Sequence, residues 1–270
     1  MPDLLLLSNS RAPGMGFLEH ATGAIRTVLG ERASLLFVPF AGSDPETYTT
    51  TMRRALAGID IRVTGLHEVS DADRAVRDAE AIFVGGGNSF RLLRTVNRLG
   101  ILDALRRTVI DGGAPYLGAS AGSNLACPSI RTTNDMPIVE VASLTALGLL
   151  PFQLNPHYLD PDPRSTHQGE TRQQRIEEFL EENDVPVLGL REGAWLRVSG
   201  RRRPVVPARD HAAFRRRVGL LAGLACRVRG PLPASRLRAP RSGRPPWPHA
   251  PGGHGSFPTT PGHPGPCCRC

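Results

Sequence analysis

The sequence contains no lysine, so all 33 basic residues of the 270-residue chain are arginines. Because a P-loop nucleotide site depends on a lysine, this absence excludes that class of binding site. Acidic residues are scarce at one end only: residues 201–270 contain 14 arginines and a single acid, Asp210, which gives a net charge of +13. Residues 1–200 contain 19 arginines and 24 acids, a net charge of −5, so we expect no nucleic-acid partner.

Cysteine and long hydrophobic segments are scarce as well. Cys127 is the only cysteine in residues 1–200, which excludes a disulfide framework there. No run of about 18 apolar residues is present, and the segment Leu4–Leu7 is too short for the apolar region of a signal peptide. We therefore expect a cytoplasmic protein without a membrane partner, and a monomer is compatible with the sequence.

Short apolar segments alternate with longer amphipathic segments in residues 1–200. The apolar segments predict buried strands, namely Leu4–Leu7, Leu35–Phe40, Ile61–Leu66, Ala81–Val84, Pro115–Leu117, Val187–Leu190 and Trp195–Val198. The amphipathic segments repeat apolar residues every three or four positions and predict helices, namely Phe17–Leu29, Glu46–Ala57, Asp71–Ala79, Phe90–Leu99, Leu102–Ile110 and Thr171–Leu180. This alternation predicts an α/β fold in which a mostly parallel sheet is flanked by helices.

The composition changes abruptly near residue 200. Of the 25 prolines, 13 lie beyond this point, where they are mixed with arginine and glycine. Such a composition does not build a packed core, and we interpret residues 201–270 as a tail that is disordered or that results from a change of reading frame. The α/β domain is accordingly assigned to residues 1–200.

A serine lies between two glycines where a predicted strand meets a predicted helix, in the segment Gly118-Ala119-Ser120-Ala121-Gly122. The sharp turn that presents a nucleophilic serine is crowded and requires small flanking residues, which this segment supplies. The helix start also places backbone N–H groups and the helix dipole near a developing oxyanion. By itself, the pattern is equally compatible with a glycine-rich turn that carries an ordinary serine.

A second glycine-rich turn, Gly85-Gly86-Gly87-Asn88, follows the predicted strand Ala81–Val84. Three glycines allow the backbone to direct its amide groups into a pocket. We interpret the N–H groups of Gly87 and Ala121 as an oxyanion hole for Ser120. A phosphate-binding turn and a purely structural turn are the alternatives.

The nucleophile also requires a general base and an acid that orients it. Among the eight histidines, His157 in Asn155-Pro156-His157 is best placed to accept the proton of Ser120. Two acids compete for the orienting role, Asp135 and Glu192. Because hydrolases place this acid at unrelated chain positions, the sequence does not separate the two.

These segments, taken in order, resemble the α-aspartyl dipeptidases of the peptidase E family, which are serine peptidases of family S51. The resemblance covers about 200 residues and also includes the segments Leu4–Ser10, Phe37–Gly42, Asn124–Pro128, Arg131–Pro137 and Gly169–Arg172. It implies a flavodoxin-like fold related to the class I glutamine amidotransferases, without a metal or cofactor.

The resemblance further implies that the chain hydrolyses dipeptides with an N-terminal aspartate through an acyl-enzyme on Ser120. It implies a charge relay of Ser120, His157 and Asp135, with Glu192 as a second candidate for the acid. Two other functions stay open: a cyanophycinase-like hydrolase of β-aspartyl peptides, and a non-catalytic α/β nucleotide-binding domain.

An aspartyl substrate carries a side-chain carboxylate, for which an arginine guanidinium is a natural partner. Arg131, Arg172 and Arg175 are the candidate substrate-binding residues. Arg131 could instead form a surface ion pair, and Arg172 and Arg175 could belong to a solvated helix face. We predict that Arg131→Ala raises KM for aspartyl dipeptides. A small peptide is the only partner that we expect.

Overall fold

The computed structural model describes residues 2–166, 168–199, 202–205 and 211–215. Its strands are β1 (Leu4–Leu7), β2 (Ser34–Val38), β3 (Arg62–Gly65), β4 (Ile82–Val84), β5 (Tyr116–Ala119), β6 (Gln153–Asn155), β7 (Val187–Leu190), β8 (Trp195–Ser199), β9 (Arg202–Val205) and β10 (His211–Phe214). Its α-helices are α1 (Thr22–Leu29), α2 (Pro45–Ala55), α3 (Ala72–Arg77), α4 (Ser89–Arg98), α5 (Leu102–Ile110), α6 (Ala121–Leu125) and α7 (Arg172–Glu182).

The larger sheet has seven strands in the order β3-β2-β4-β5-β1-β8-β9. The five strands from β3 to β1 run parallel, whereas β8 runs antiparallel to β1, and β9 antiparallel to β8. The predicted mostly parallel sheet is therefore confirmed. Leu7 of β1 pairs with Ala119 of β5, so the residues that follow these two strands lie side by side at one edge of the sheet.

The central strands β1, β2, β4 and β5 are buried on both faces, which is why they are almost entirely apolar rather than alternating. One face of β1 presents Leu4 and Leu6 to a core that includes Leu93 of α4. The opposite face presents Leu5 and Leu7 to a core that includes Ile25 of α1 and Met52 of α2. Helices thus cover both sides of the sheet, as the sequence pattern predicts.

A second sheet has the order β10-β7-β6, with β6 parallel and β10 antiparallel to β7. The strands β9 and β10 lie beyond residue 200, where the composition predicts no packed element. Their ladders join them to β8 and β7 through backbone hydrogen bonds, which depend little on side-chain pattern. In addition, Phe214 of β10 packs on Tyr158, with 5.5 Å between ring centroids. The rest of the predicted tail, residues 201, 206–210 and 216–270, lies outside the described residues.

The first helical segment begins later than its amphipathic pattern predicts. Residues Glu19–Ala21 form a turn of 3₁₀-helix, and the α-helix starts only at Thr22. Leu18, immediately before this turn, has a positive φ of 61°, which an α-helix does not accommodate. Across the described part of the chain, every helix is too short or too polar to cross a lipid bilayer.

Candidate active site

Ser120 occupies a sharp turn between β5 and α6. Its φ of 51° and ψ of −107° are unusual for a residue with a side chain, and such strain concentrates at functional sites. Its backbone N–H donates to the carbonyl of Leu7 at 3.0 Å, which ties the turn to the end of β1. A Cβ on Gly118 would lie 2.6 Å from the carbonyl oxygen of Gly122, and a Cβ on Gly122 would overlap the Val84 carbonyl. The turn therefore requires both glycines of the motif.

A continuous series of hydrogen bonds joins Ser120, His157 and Glu192. Ser120 Oγ lies 2.8 Å from His157 Nε2, and His157 Nδ1 lies 2.6 Å from Glu192 Oε1. With the proton on Nδ1, the ring donates to the carboxylate and accepts from the serine hydroxyl. The histidine and glutamate side chains are each 39% exposed, so the site is open to a substrate. This arrangement can withdraw a proton from Ser120.

Secondary structure brings these three residues together from distant parts of the sequence. His157 follows β6 and, like Ser120, has a positive φ, of 57°. Glu192 lies in the turn that connects β7 to β8. Because β8 pairs with β1 and β1 pairs with β5, this turn reaches the same edge of the sheet as Ser120.

Two residues directly after β1 hold the series in place, and sequence reasoning missed both. Ser8 Oγ accepts a hydrogen bond from the backbone N–H of His157 at 2.8 Å and donates to the Leu190 carbonyl at 3.0 Å. The Asn9 side-chain amide donates to Glu192 Oε2, and its oxygen accepts from the N–H of Gly193 at 3.0 Å. Their position just beyond the strand that pairs with β5 was the available signal.

Asp135 does not take the place that the resemblance implies. Its Oδ2 accepts hydrogen bonds from the backbone N–H of Ser89 at 2.7 Å and from the Thr133 hydroxyl at 2.9 Å. The loop that carries it packs on the start of α4, where Asn88 Nδ2 donates to the Met136 carbonyl at 2.8 Å. Asp135 therefore caps α4, and the acid that contacts His157 is Glu192.

The turn Gly85–Asn88 is fixed by hydrogen bonds from three of its four amides. The N–H of Gly85 donates to the Val38 carbonyl at 3.0 Å, and that of Asn88 to the Ala41 carbonyl at 3.0 Å. The N–H of Gly86 donates to the hydroxyl of Tyr48 at 2.8 Å. Within the described residues, the N–H of Gly87 is the one amide of this turn that has no protein acceptor.

This turn lies against the nucleophile. A Cβ on Gly86 would lie 3.1 Å from Cβ of Ser120, and Gly87 has a φ of 135° with its α-carbon against the Ala41 carbonyl. Ala121 is the first residue of α6, so its N–H has no acceptor within the helix. Ala121 thus directly follows Ser120, and Gly87 directly follows Gly86, the residue of the turn that lies against Ser120.

The three candidate arginines differ in their surroundings. Arg131 is exposed, and Arg175 is exposed and paired with Glu170 at 3.3 Å. Arg172 is partly buried, and this burial lowers the pKa of its guanidinium; the like charge of Arg175 adds to this effect, whereas the charge of Asp135 opposes it. Arg172 and Arg175 line a cavity of about 450 Å³ together with Leu159–Asp162, Ser165 and Gly169–Thr171. Of the two arginines of α7, Arg172 is the one whose guanidinium interacts electrostatically with Asp135.

One group of side chains in the described residues has the donors and spacing for a metal ion: Glu46, His67 and Glu68. The Glu68 carboxylate is already bound by the Arg53 guanidinium, at 2.5–2.8 Å, and by the Gly65 N–H at 2.7 Å. This group is separate from the serine–histidine–glutamate series. A metal ion held there would not contact the nucleophile.

Comparisons with known proteins show which family and relatives the chain is similar to. The model of Peptidase family S51 matches residues 4–206. The chain is 59% identical over 214 residues to a protein named Peptidase E from Streptomyces coelicolor, covering 79% of this chain and 88% of that protein. It is 48% identical over 215 residues to a probable alpha-aspartyl dipeptidase from Drosophila melanogaster, covering 79% of this chain and 90% of that protein.

Solved structures show the same fold. A putative Peptidase E protein from Listeria monocytogenes aligns with a TM-score of 0.57 at 21% identity, over 80% of this chain and 98% of that chain. A peptidase from an acI-B1 Actinobacterium aligns with a TM-score of 0.50 at 16% identity. At these identities, the similarity concerns the fold alone.

Proposed function

Because the chain belongs to peptidase family S51, we propose that it is a serine dipeptidase that hydrolyses dipeptides with an N-terminal aspartate. The observation that carries the proposal is the hydrogen-bonded series from Ser120 through His157 to Glu192, at 2.8 and 2.6 Å. Relatives named Peptidase E and probable alpha-aspartyl dipeptidase, at 59% and 48% identity, support the aspartyl substrate.

The proposed reaction begins with transfer of the Ser120 proton to His157 Nε2. The serine oxygen attacks the carbonyl carbon of the aspartyl residue, and the Glu192 carboxylate stabilises the imidazolium that forms. His157 then donates the same proton to the amine of the second residue as the C–N bond breaks. A water molecule, deprotonated by His157, hydrolyses the resulting ester and regenerates Ser120.

The tetrahedral intermediates carry a negative charge on the former carbonyl oxygen. The N–H groups of Gly87 and Ala121 are the proposed donors to this oxygen. Ala121 follows Ser120, Gly87 follows the residue that packs on Ser120, and both N–H groups lack acceptors in the described protein. In similar hydrolases one such donor contributes about 2.7–4 kcal/mol to the stability of the transition state.

Arg172 is the proposed partner of the substrate's side-chain carboxylate. Its partial burial strengthens a charge-assisted hydrogen bond to an anion, and it lines a cavity that begins two residues beyond His157, at Leu159. Arg131 is less suited to this role, because an exposed guanidinium gains little from pairing in water. A small peptide remains the only proposed partner.

The two rival functions are less well supported. A nucleotide-binding domain has no use for a serine–histidine–glutamate series. A cyanophycinase-like hydrolase would use that series, but the relatives at 48–59% identity are named Peptidase E or probable alpha-aspartyl dipeptidase.

The test combines a substrate panel with active-site labelling. We expect hydrolysis of Asp-Leu to exceed that of β-Asp-Arg, and a fluorophosphonate probe to label the protein at Ser120. Ser120→Ala should abolish labelling and lower the rate by at least about 10⁴-fold, because the residual rate comes only from binding and the oxyanion donors. Preferential cleavage of β-Asp-Arg, or labelling that persists in Ser120→Ala, would contradict the proposal.

A further inference from the structure

We propose that Tyr48 is a positioning residue that fixes the turn Gly85–Gly87 and thereby the direction of the Gly87 N–H. This inference rests on the proposed function, because it assigns the Gly87 amide to the oxyanion site. Tyr48 lies in α2, far from Ser120 in sequence, and its hydroxyl accepts a hydrogen bond from the Gly86 N–H at 2.8 Å.

The Tyr48 side chain is held rigidly from several sides. Its ring packs edge-on against Phe37, at 5.0 Å between centroids and 88° between planes, and against Phe17 at 6.1 Å. Burial raises the pKa of the Tyr48 phenol, while hydrogen bonds from Gly86 and the Ser10 side chain oppose this rise. The hydroxyl therefore stays protonated at neutral pH, while the ring contacts and the Gly86 hydrogen bond fix its position.

The glycine turn packs directly on this ring. A Cβ on Gly85 would lie 2.8 Å from Tyr48 Oη and 2.8 Å from its Cε1 atom, so only a glycine fits beside the ring. On its other side, the turn meets Ser120, since a Cβ on Gly86 would lie 3.1 Å from Cβ of Ser120. The Gly85–Gly86 peptide thus lies between the Tyr48 hydroxyl and the nucleophile.

Three adjacent glycines need such a restraint. Without Cβ atoms, their peptide planes rotate at little steric cost, so hydrogen bonds must determine where each amide points. The Gly87 N–H belongs to the peptide between Gly86 and Gly87, which is flanked by one peptide bonded to Tyr48 and another bonded to the Ala41 carbonyl. Loss of the Tyr48 acceptor would release the first of these peptides and allow the Gly87 N–H to turn away from the oxyanion.

Tyr48 is also the one side chain that binds an amide of Gly85, Gly86 or Gly87 within the described residues; Val38 supplies a backbone carbonyl instead. A single substitution can therefore remove this restraint without removing the others. Tyr48→Phe keeps the ring and its packing and deletes only the hydroxyl.

The experiment measures Tyr48→Phe with Asp-Leu and with two ligands, an aspartyl aldehyde that forms a tetrahedral adduct and free aspartate. Because a misdirected donor costs less than a deleted one, we expect kcat to fall by about 10–100-fold with KM within about threefold of the parent. Affinity for the aldehyde should fall by a similar factor, whereas affinity for aspartate should not change, since aspartate forms no oxyanion.

Two further variants separate positioning from general destabilisation. Thr108→Val deletes another buried hydroxyl, one that donates to the Val76 carbonyl at 3.1 Å, and should lower Tm without changing kcat. Ser10→Ala removes the Ser10 side chain that bonds to the Tyr48 hydroxyl. It should lower kcat by a smaller factor than Tyr48→Phe and should have no further effect when the two substitutions are combined. Ser10→Ala also tests the proposal if Tyr48→Phe does not fold.

Activity of the parent protein distinguishes a wrong role for Tyr48 from a wrong function for the chain. If the parent protein hydrolyses Asp-Leu while kcat and aldehyde affinity of Tyr48→Phe match the parent, Tyr48 does not position the turn. If the parent itself neither hydrolyses Asp-Leu nor reacts at Ser120, the proposed function is wrong. Equal losses of kcat in Thr108→Val and Tyr48→Phe would also overturn the inference.

Discussion

The hydrogen-bonded series around Ser120, which we propose as the charge relay, and the arginines proposed for substrate binding differ in how the protein holds them. His157 is bonded through both ring nitrogens and its backbone N–H, and Glu192 is bonded to both His157 and Asn9. Arg131 and Arg175 are exposed, and Arg172 is only partly buried. The proposed reacting groups are thus oriented without a substrate, whereas the groups proposed to recognise its charge are largely hydrated.

The largest expected effect concerns the two acids between which the sequence does not decide for the role of orienting His157. Glu192→Gln should lower kcat by about 10³–10⁴-fold, because the amide cannot stabilise the imidazolium or enforce the productive tautomer. Asp135→Asn keeps an oxygen that can accept a hydrogen bond from the Ser89 N–H. The fold decrease of its kcat should therefore be at least about tenfold smaller than that of Glu192→Gln, and part of its effect should appear as a lower Tm. Steady-state kinetics and thermal unfolding of both variants measure this difference.

A loss of kcat in Asp135→Asn that equals the loss in Glu192→Gln would contradict the assignment of Glu192 alone as the acid that acts on His157. It would mean that the loop before α4 contributes to the chemistry as directly as the turn between β7 and β8. A normal kcat in Glu192→Gln would remove Glu192 from the relay altogether.

The sequence predicts the fold well because its signal is local. Apolar strands and amphipathic helices repeat within short windows, and β1, β7 and α5 match their predicted bounds. No local pattern of this kind predicts the strands β9 and β10, which form by backbone pairing with β8 and β7. The sequence of β9 contains arginine and proline, and β10, His-Ala-Ala-Phe, is a short segment within an arginine- and proline-rich stretch, so neither gives an apolar repeat.

The site was predictable in its parts but not in its connections. Ser120 and His157 stand in distinctive segments, and their chemistry follows from residue type. The choice between Asp135 and Glu192 depends instead on Asn9, which binds the Glu192 turn from the far end of the sequence. Tyr48 acts only through the backbone of Gly86, so no motif marks it.

A smaller effect is expected for the arginines, and it should appear in KM. Arg172→Ala should raise KM for Asp-Leu by about 10–150-fold, because a hydrogen bond between charged groups contributes about 1.5–3 kcal/mol. Arg131→Ala is the exposed control, and its KM should stay within about twofold of the parent. Arg172→Lys should restore only part of the affinity, since lysine lacks the planar fork that matches a carboxylate.

This expectation revises the prediction from sequence that Arg131→Ala raises KM. If Arg131→Ala raised KM more than Arg172→Ala, the exposed loop and not the start of α7 would bind the substrate carboxylate. A panel of Asp-Leu against Asn-Leu would then identify the arginine responsible, because only its variant would lose the preference for aspartate.

The smallest effect is expected at Arg175, and its salt dependence separates direct binding from a long-range field. Arg175 is engaged with Glu170 in an exposed ion pair, so Arg175→Ala should change KM by no more than about twofold. Any such change should vanish in about 0.5 M NaCl, because salt screens charges that act through water. The higher KM of Arg172→Ala should persist at that salt concentration, since a partly buried guanidinium that binds the substrate directly is screened much less. If salt instead removes both effects, neither arginine contacts the substrate. Arg172 and Arg175 would then attract the substrate carboxylate only through their long-range positive potential.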